Sequence, residues 1–164
     1  AIWLGINLIT AFLASWFIGL FEATLQQVVA LAVLMPVVAS MGGISGSQTL
    51  TLIIRGLALG QITDANRQSI VNKELKVGAI NGILWATVIG LITLYWFESP
   101  MLSVTICIAI LGNILVASLS GVWVPWVLNR LNIDPALSGA VILTTVTDIF
   151  GFIAFLGCGT LLLL

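Results

Sequence analysis

Long apolar stretches separated by short polar segments dominate the chain. About 20 apolar residues are needed to cross the hydrocarbon core of a bilayer, and these stretches are close to that length or longer. The pattern therefore predicts an all-α membrane protein with five transmembrane helices per subunit. We place the spans at about residues 2–20, 28–59, 77–97, 101–128 and 136–164.

The second apolar stretch carries a polar, glycine-rich segment near residues 40–49, which predicts an interrupted helix. Its small and polar members include Gly42, Gly43, Ser45, Gly46, Ser47 and Gln48. Irregular backbone at membrane depth is tolerated only where it is buried in protein or lines water. Pro36, a little earlier, favours a kink. The segment is either a kinked helix packed on a neighbour or a flexible, polar wall of a permeation path, and the two readings are compatible.

Basic residues are confined to two connections between spans. Of the 5 Lys and Arg residues, one is Arg130 and the others lie in the polar stretch from Arg55 to Lys76, which we predict to be a loop. Cytoplasmic loops are enriched in Lys and Arg. We therefore predict a cytoplasmic amino terminus and an external carboxy terminus in a multi-pass protein of the cell (inner) membrane. No signal-peptide features open the chain, and we expect a soluble amino-terminal part to precede it.

Composition narrows the chemistry that the chain can perform. A mean hydropathy of +1.24, with 60% hydrophobic and 7% charged residues, excludes an ordinary soluble domain. A net charge of −1 and so few basic residues do not provide the basic surface that binds nucleic acid. Histidine is absent, and Cys107 and Cys158 are far apart within apolar runs. The sequence therefore argues against a structural zinc site and against a disulfide scaffold. Oxygen ligands, amides and backbone groups remain.

Asp148 is the best candidate for a functional residue. It lies within the last apolar stretch with no basic neighbour in sequence, where an ionised side chain costs about 2.5 to 3.5 kcal/mol. Thr144 and Thr145 share its helix face. Oxygen ligands suit hard cations, and Mg²⁺ retains much of its water shell. The alternative is that Asp148 is neutral, or bonded to hydroxyls such as Thr144, in a packed core.

A single carboxylate per chain gives a divalent ion few charged ligands. A two-fold homodimer would bring two copies of this carboxylate together. The leading hypothesis is passive permeation of a divalent cation. A secondary transporter coupled to protons or Na⁺ is the main alternative. We predict that the protein is not an enzyme, because the chain has no histidine and no evident second acid at membrane depth that could take part in catalysis. A purely structural subunit would leave Asp148 unexplained.

Small residues predict where the helices pack against one another. The third and fourth spans each carry a repeat of such residues every four positions, with one asparagine in the second repeat. The repeats are Gly78, Gly82, Ala86 and Gly90, and Ala109, Asn113, Ala117 and Gly121. Helix association in lipid depends on close backbone approach through small residues.

The order and spacing of several motifs resemble one known family over essentially the whole chain. The motifs are Met35-Pro36, Gly42-Gly43-x-x-Gly46-x-Gln48, Arg55-Gly56-Leu57-Ala58-Leu59-Gly60, Asp134-Pro135-Ala136 and Thr144-Thr145-x-Thr147-Asp148. Together they resemble the transmembrane domain of the MgtE family of magnesium channels and transporters.

That resemblance implies a homodimer with its pore at the two-fold axis, lined by the second and fifth spans. The transported ion would be Mg²⁺, and Asp148 corresponds to the pore aspartate of the family. Residues 1–164 would form the transmembrane pore domain, with membrane lipid around it. A cytosolic amino-terminal region that senses Mg²⁺ and closes the pore would be a further partner, and it is absent from these residues.

Two positions depart from the pattern of the family. Ile44 and Ala140 stand where the family usually, or in some members, has Asn. We therefore expect fewer side-chain amides to face the ion, with backbone carbonyls near Ala140 and Thr144 contacting its water shell. Mn²⁺, Ca²⁺ and Co²⁺ are further ions that the chain could transport.

Overall fold

The computed structural model describes residues 1–164, and the chain is all-helical. The helices are α1 (Ile2–Gly19), α2 (Glu22–Gln27), α3 (Val29–Ala58), α4 (Arg67–Phe97), α5 (Pro100–Arg130) and α6 (Pro135–Leu163). All except the short α2 are long and apolar enough to cross a membrane, which makes 5 candidate spans. The predicted all-α fold with five apolar helices is confirmed.

Polar caps and a left-handed residue define the tight connections. The carboxylate of Asp134 accepts a hydrogen bond of 2.9 Å from the Ala136 amide, and Pro135 occupies the first turn of α6. Such a cap satisfies a backbone donor that the helix leaves free. Glu98 adopts a φ of 51°, which ends α4 and turns the chain directly into α5.

Helix α5 lies at the centre of the bundle and packs against α3, α4 and α6. Its Ile106 and Ile110 side chains are completely buried, in a core that also includes Val38 of α3 and Phe155 of α6. Helix α1 packs mainly against α6, and Ala14 is its one buried residue. The two helices that carry the candidate residues, α3 and α6, therefore both rest on α5 as well as on each other.

Small residues join α4 to α5, as the sequence predicts. Gly82 is buried so closely against α5 that an added Cβ would lie 2.7 Å from the Leu111 Cδ1 atom. Farther along, the Ser103 hydroxyl donates a hydrogen bond of 2.6 Å to the Gly90 carbonyl. The repeats on both helices are buried: Gly78, Gly82, Ala86 and Gly90 on α4, and Ala109, Asn113, Ala117 and Gly121 on α5.

The second span is continuous, so the predicted interruption near residues 40–49 is wrong. Helix α3 runs from Val29 to Ala58 without a break and includes Pro36. In lipid a helix keeps its backbone groups paired internally. Small residues in this segment serve close packing instead, since Gly42 and Gly46 are buried against neighbouring helices.

The polar stretch from Arg55 to Lys76 is also more helical than predicted. Helix α3 ends at Ala58 and α4 begins at Arg67, which leaves only residues 59–66 as a connection. Lys and Glu are good helix formers, so a charged segment can extend a span beyond the bilayer. Lys73 and Lys76 are exposed, whereas Glu74 between them is buried.

Arginine and tryptophan side chains stack at the end of the bundle that carries the basic residues. The Arg67 guanidinium lies 4.3 Å from the centre of the Trp126 ring, and that of Arg130 lies 4.5 Å from the same ring. Arg130 also forms a salt bridge with Asp64. The hydrogen bond from Arg130 lowers the pKa of the Asp64 carboxyl below its ordinary value. This cluster, in which Arg130 and Asp64 are exposed, connects the α3–α4 loop to the start of α4 and the end of α5.

Candidate functional site

A wide groove of about 900 Å³ runs between α3 and α6. Polar and small side chains make up most of its lining. Its lining residues are Ala39, Ser40, Gly43, Ile44, Ser47, Gln48, Thr51, Leu52, Thr144 and Asp148. The structure thus brings five of the predicted site residues to one surface, namely Gly43, Ser47, Gln48, Thr144 and Asp148.

Asp148 supplies the only ionisable side chain of the groove. It is partly buried on α6, and its carboxylate has no hydrogen-bond partner within the chain. The one salt bridge of the structure joins Arg130 to Asp64, so no basic side chain neutralises Asp148. Nor does the chain hold any group of three acidic, His or Cys side chains suited to a metal ion. The carboxylate is thus free to attract a cation from the groove.

The Thr144 hydroxyl does not bond to Asp148. It donates a hydrogen bond of 2.9 Å to the Ala140 carbonyl, and its oxygen can still accept a hydrogen bond. Thr144 lies one helical turn before Asp148 and lines the same groove. The alternative reading, in which Asp148 is satisfied by such a hydroxyl in a packed core, does not describe this structure.

The α3 wall of the groove is a polar stripe along one helix face. Ser47 lies seven residues after Ser40 and four before Thr51, and Gln48 lies three before Thr51, which places these side chains on one side of a helix. The Thr51 hydroxyl donates a hydrogen bond of 2.8 Å to the Ser47 carbonyl, as hydroxyls in apolar helices commonly do. Gln48 is exposed, and its amide makes no hydrogen bond within the chain. Its oxygen is available to a cation or to the water around one.

Gly42 and Gly46, which we predicted to line a pore, lie on the buried side of α3. Gly42 is in contact with the Asn113 side chain of α5. A Cβ added to Gly46 would lie 2.9 Å from the Leu143 Cδ1 atom of α6. These glycines bring the groove helix close to its neighbours and leave the lining to Gly43 and the polar residues.

Three further predicted residues lie beside the groove without lining it. Ser45 lines a second cavity, on the other side of α3, together with Gln48. The Thr145 hydroxyl donates a hydrogen bond of 2.7 Å to the Val141 carbonyl. Ala140 is exposed near the start of α6, and its carbonyl already accepts the hydrogen bond from Thr144.

Asn113 holds the groove helices together, whereas the sequence predicted only that it lies at a helix contact. Its side chain is completely buried, and its amide nitrogen donates a hydrogen bond of 3.0 Å to the Val38 carbonyl of α3. Gly42 of α3 and Gly151 of α6 both lie against it, so a Cβ at either position would displace the Asn113 amide. Its place in the repeat of small residues on α5 is the one signal in the sequence that points to a contact role.

Comparison with known proteins identifies the family of the chain. The MgtE family, described as divalent cation transporters, matches residues 35–158. The magnesium transporter MgtE of Thermus thermophilus is 33% identical over 162 residues, which cover 98% of this chain and 36% of that protein. The Bacillus subtilis magnesium transporter MgtE is 28% identical over 158 residues, covering 96% of this chain and 35% of that protein. The chain therefore spans about a third of the length of these curated relatives. A match over most of the chain, in a bundle of apolar helices, shows that it belongs to the MgtE family of divalent cation transporters.

Proposed function

We propose that this chain forms the pore of a Mg²⁺ channel, in which hydrated Mg²⁺ passes along the groove between α3 and α6. Asp148 is the carboxylate that attracts the ion, and Thr144, Ser47 and Gln48 contact its water shell. Two magnesium transporters are similar to the chain along nearly its whole length, which supports Mg²⁺ as the transported ion. Mn²⁺, Ca²⁺ and Co²⁺ are the ions to test in competition.

The observation that carries this proposal is the free carboxylate of Asp148 on a groove lined by oxygen-bearing side chains. Hard divalent cations prefer such oxygen ligands, and Mg²⁺ usually keeps several waters when it binds one or two carboxylates. A groove of about 900 Å³ has room for an ion with its water shell. A conducting site must attract the ion without trapping it, and one carboxylate from each chain, with neutral oxygens around it, meets that requirement.

A homodimer would convert this groove into a closed pore. The groove is open along one side, where Ile44 and Leu52 are each 59% exposed. A two-fold partner that presents the same surface would cover this side and bring a second Asp148 to the axis. We infer this dimer from the shape of one chain, and cysteine pairs provide the test. Ser40→Cys and Ser47→Cys should crosslink to their own copies in membranes, whereas Thr87→Cys on the exposed outer face of α4 should not.

We infer that the basic end of the bundle faces the cytoplasm. Arg55, Lys73 and Lys76 lie at the α3–α4 end, and Arg130 lies at the end of α5 on the same side, bonded to the α3–α4 loop. The positive-inside rule then places the amino terminus in the cytoplasm and the carboxy terminus outside. Labelling of an Asn132→Cys variant from one side of sealed membranes tests this orientation.

The test of function is Mg²⁺ flux into proteoliposomes that contain the purified chain. Asp148→Asn should reduce flux to the level of empty liposomes, because the substitution removes the charge and keeps the shape of the side chain. Glu98→Gln is the matched control, since Glu98 is an exposed acid outside the groove. Unchanged flux in Asp148→Asn would contradict the proposal. Conduction that requires a proton or Na⁺ gradient would instead favour the coupled transporter.

A further inference from the structure

Glu74 is a buried carboxylate that the groove between α3 and α6 does not use. Its side chain is only 8% exposed, on the face of α4 that is turned toward the bundle. No basic side chain pairs with it, because the one salt bridge lies elsewhere. The only hydrogen bond that it receives comes from the Thr49 hydroxyl at 3.2 Å. A buried carboxylate without a compensating charge is costly, so its surroundings indicate what compensates it.

A small polar cavity surrounds this carboxylate, between α3, α4 and α5. Its volume is about 80 Å³, which is room for several waters, since one water centre needs about 10 to 15 Å³. Besides the carboxylate, hydroxyl and amide side chains from three helices line it, and these are Ser45, Gln48, Thr49, Asn81 and Ser118. A carboxylate with neutral oxygens around a hydrated space matches the ligands that hard cations prefer.

Gln48 connects this cavity to the groove that holds Asp148. Its side chain lines both spaces, and Leu52, one turn further along α3, does the same. The neighbouring lysines do not compete for the carboxylate, because Lys73 and Lys76 line a different depression on the outer face of α4. Glu74 therefore lies near the basic end of the bundle, beside the groove and one side chain away from it.

We propose that Glu74 is the centre of a second divalent-cation site, occupied by a partly hydrated ion on its way into or out of the groove. This site rests on the proposed function for the identity of the ion. Its ligands are the carboxylate itself and, directly or through water, the oxygens of Gln48, Thr49 and Asn81. An ion here offsets the charge of the buried carboxylate, and Gln48 can contact the ion in either space.

The experiment measures binding without requiring conduction. Mn²⁺, a paramagnetic probe, is titrated into the purified Asp148→Asn protein and free Mn²⁺ is counted by electron paramagnetic resonance. The expected result is one bound Mn²⁺ per chain that Mg²⁺ displaces. Adding Glu74→Gln should weaken that binding at least about tenfold, since charged ligands dominate the affinity of oxygen sites. Adding Glu98→Gln instead should leave it unchanged.

One further variant keeps the test decisive. Glutamine has nearly the shape of glutamate and can still accept from Thr49, but if Glu74→Gln fails to fold, Asn81→Leu carries the test in the same background. Asn81 is exposed and lines the cavity, so its loss should weaken Mn²⁺ binding and spare the bundle. The site is overturned if Asp148→Asn binds no Mn²⁺, or if neither added variant alters binding. If the native chain conducts no Mg²⁺ although Mn²⁺ still binds at Glu74, that result would count against the channel and keep the site.

Discussion

Gly121 offers a direct test of how α5 positions the groove helix α3. A Cβ added there would lie 2.7 Å from the Thr49 Cβ atom and 3.0 Å from the Gly46 carbonyl oxygen. Carbon atoms in ordinary contact are about 3.5 to 4.0 Å apart. Neither neighbour can turn aside, because one is a Cβ atom and the other is backbone. In Gly121→Ala, α3 must therefore move away from α5 by several tenths of an ångström or more.

The magnitude follows from comparison with a second glycine on the same helix. Overpacking a well-packed interior costs about 1 to 3 kcal/mol. Replacing glycine by alanine within a helix returns about 1 kcal/mol. Gly112→Ala is the matched control, because its Cβ would meet the Phe150 ring at an ordinary 3.5 Å. Both variants gain the helix propensity, so Gly121→Ala should be less stable than Gly112→Ala by about 1 to 3 kcal/mol.

Reversible unfolding in mixed micelles, with helix content as the signal, measures this difference. About 1.4 kcal/mol corresponds to a tenfold change in the unfolding equilibrium, which such titrations resolve. Equal stability of Gly121→Ala and Gly112→Ala would refute the close contact between α3 and α5. Because Thr49 also donates to Glu74, the same displacement should weaken Mn²⁺ binding at that carboxylate.

Two other predictions concern the contacts that hold the bundle. Asn113→Ala should lower the free energy of unfolding by about 1 to 3 kcal/mol, because it removes the bond to the Val38 carbonyl and leaves a void. An unchanged unfolding midpoint would contradict this role. Arg130 lowers the pKa of Asp64 below the ordinary 3.8, so the contribution of their salt bridge is complete above that pH and is lost as the pH falls through the lower, folded-state value. Acid titration of unfolding should show this loss in the native chain and lack it in Asp64→Asn; identical curves would be the contrary result.

The sequence predicts the groove better than it predicts the connections. Helical periodicity is local, so it places Thr144 and Asp148 on one helix face, which the structure brings to the groove. Glu74 shows where local pattern fails. A charged residue between two lysines reads as part of a solvated loop, and only the position of α4 against α3 and α5 makes it buried. Partners that are distant in sequence have no signature in one chain.

Similar reasoning explains the error over residues 40–49. Glycines in a span can mark either a broken helix or a close contact, and the two differ only in what lies opposite. Here Asn113 and Leu143 lie opposite, so the glycines serve contact and the helix continues. The residues that face lipid, a groove or a neighbour can be separated only once the neighbouring helices are in place.

The packing of α1 determines how a mechanical force would travel through the bundle. This helix packs mainly against α6, and the Thr24 hydroxyl of the following α2 lies 2.8 Å from the Thr160 hydroxyl of α6. A pull or a tilt applied at α1 therefore reaches α6 through their packed faces, and it reaches α3 through the short α2 that joins the two helices in the chain. Since Asp148 is on α6 and the opposite wall of the groove is on α3, tension at the amino-terminal helix acts on both walls of the groove.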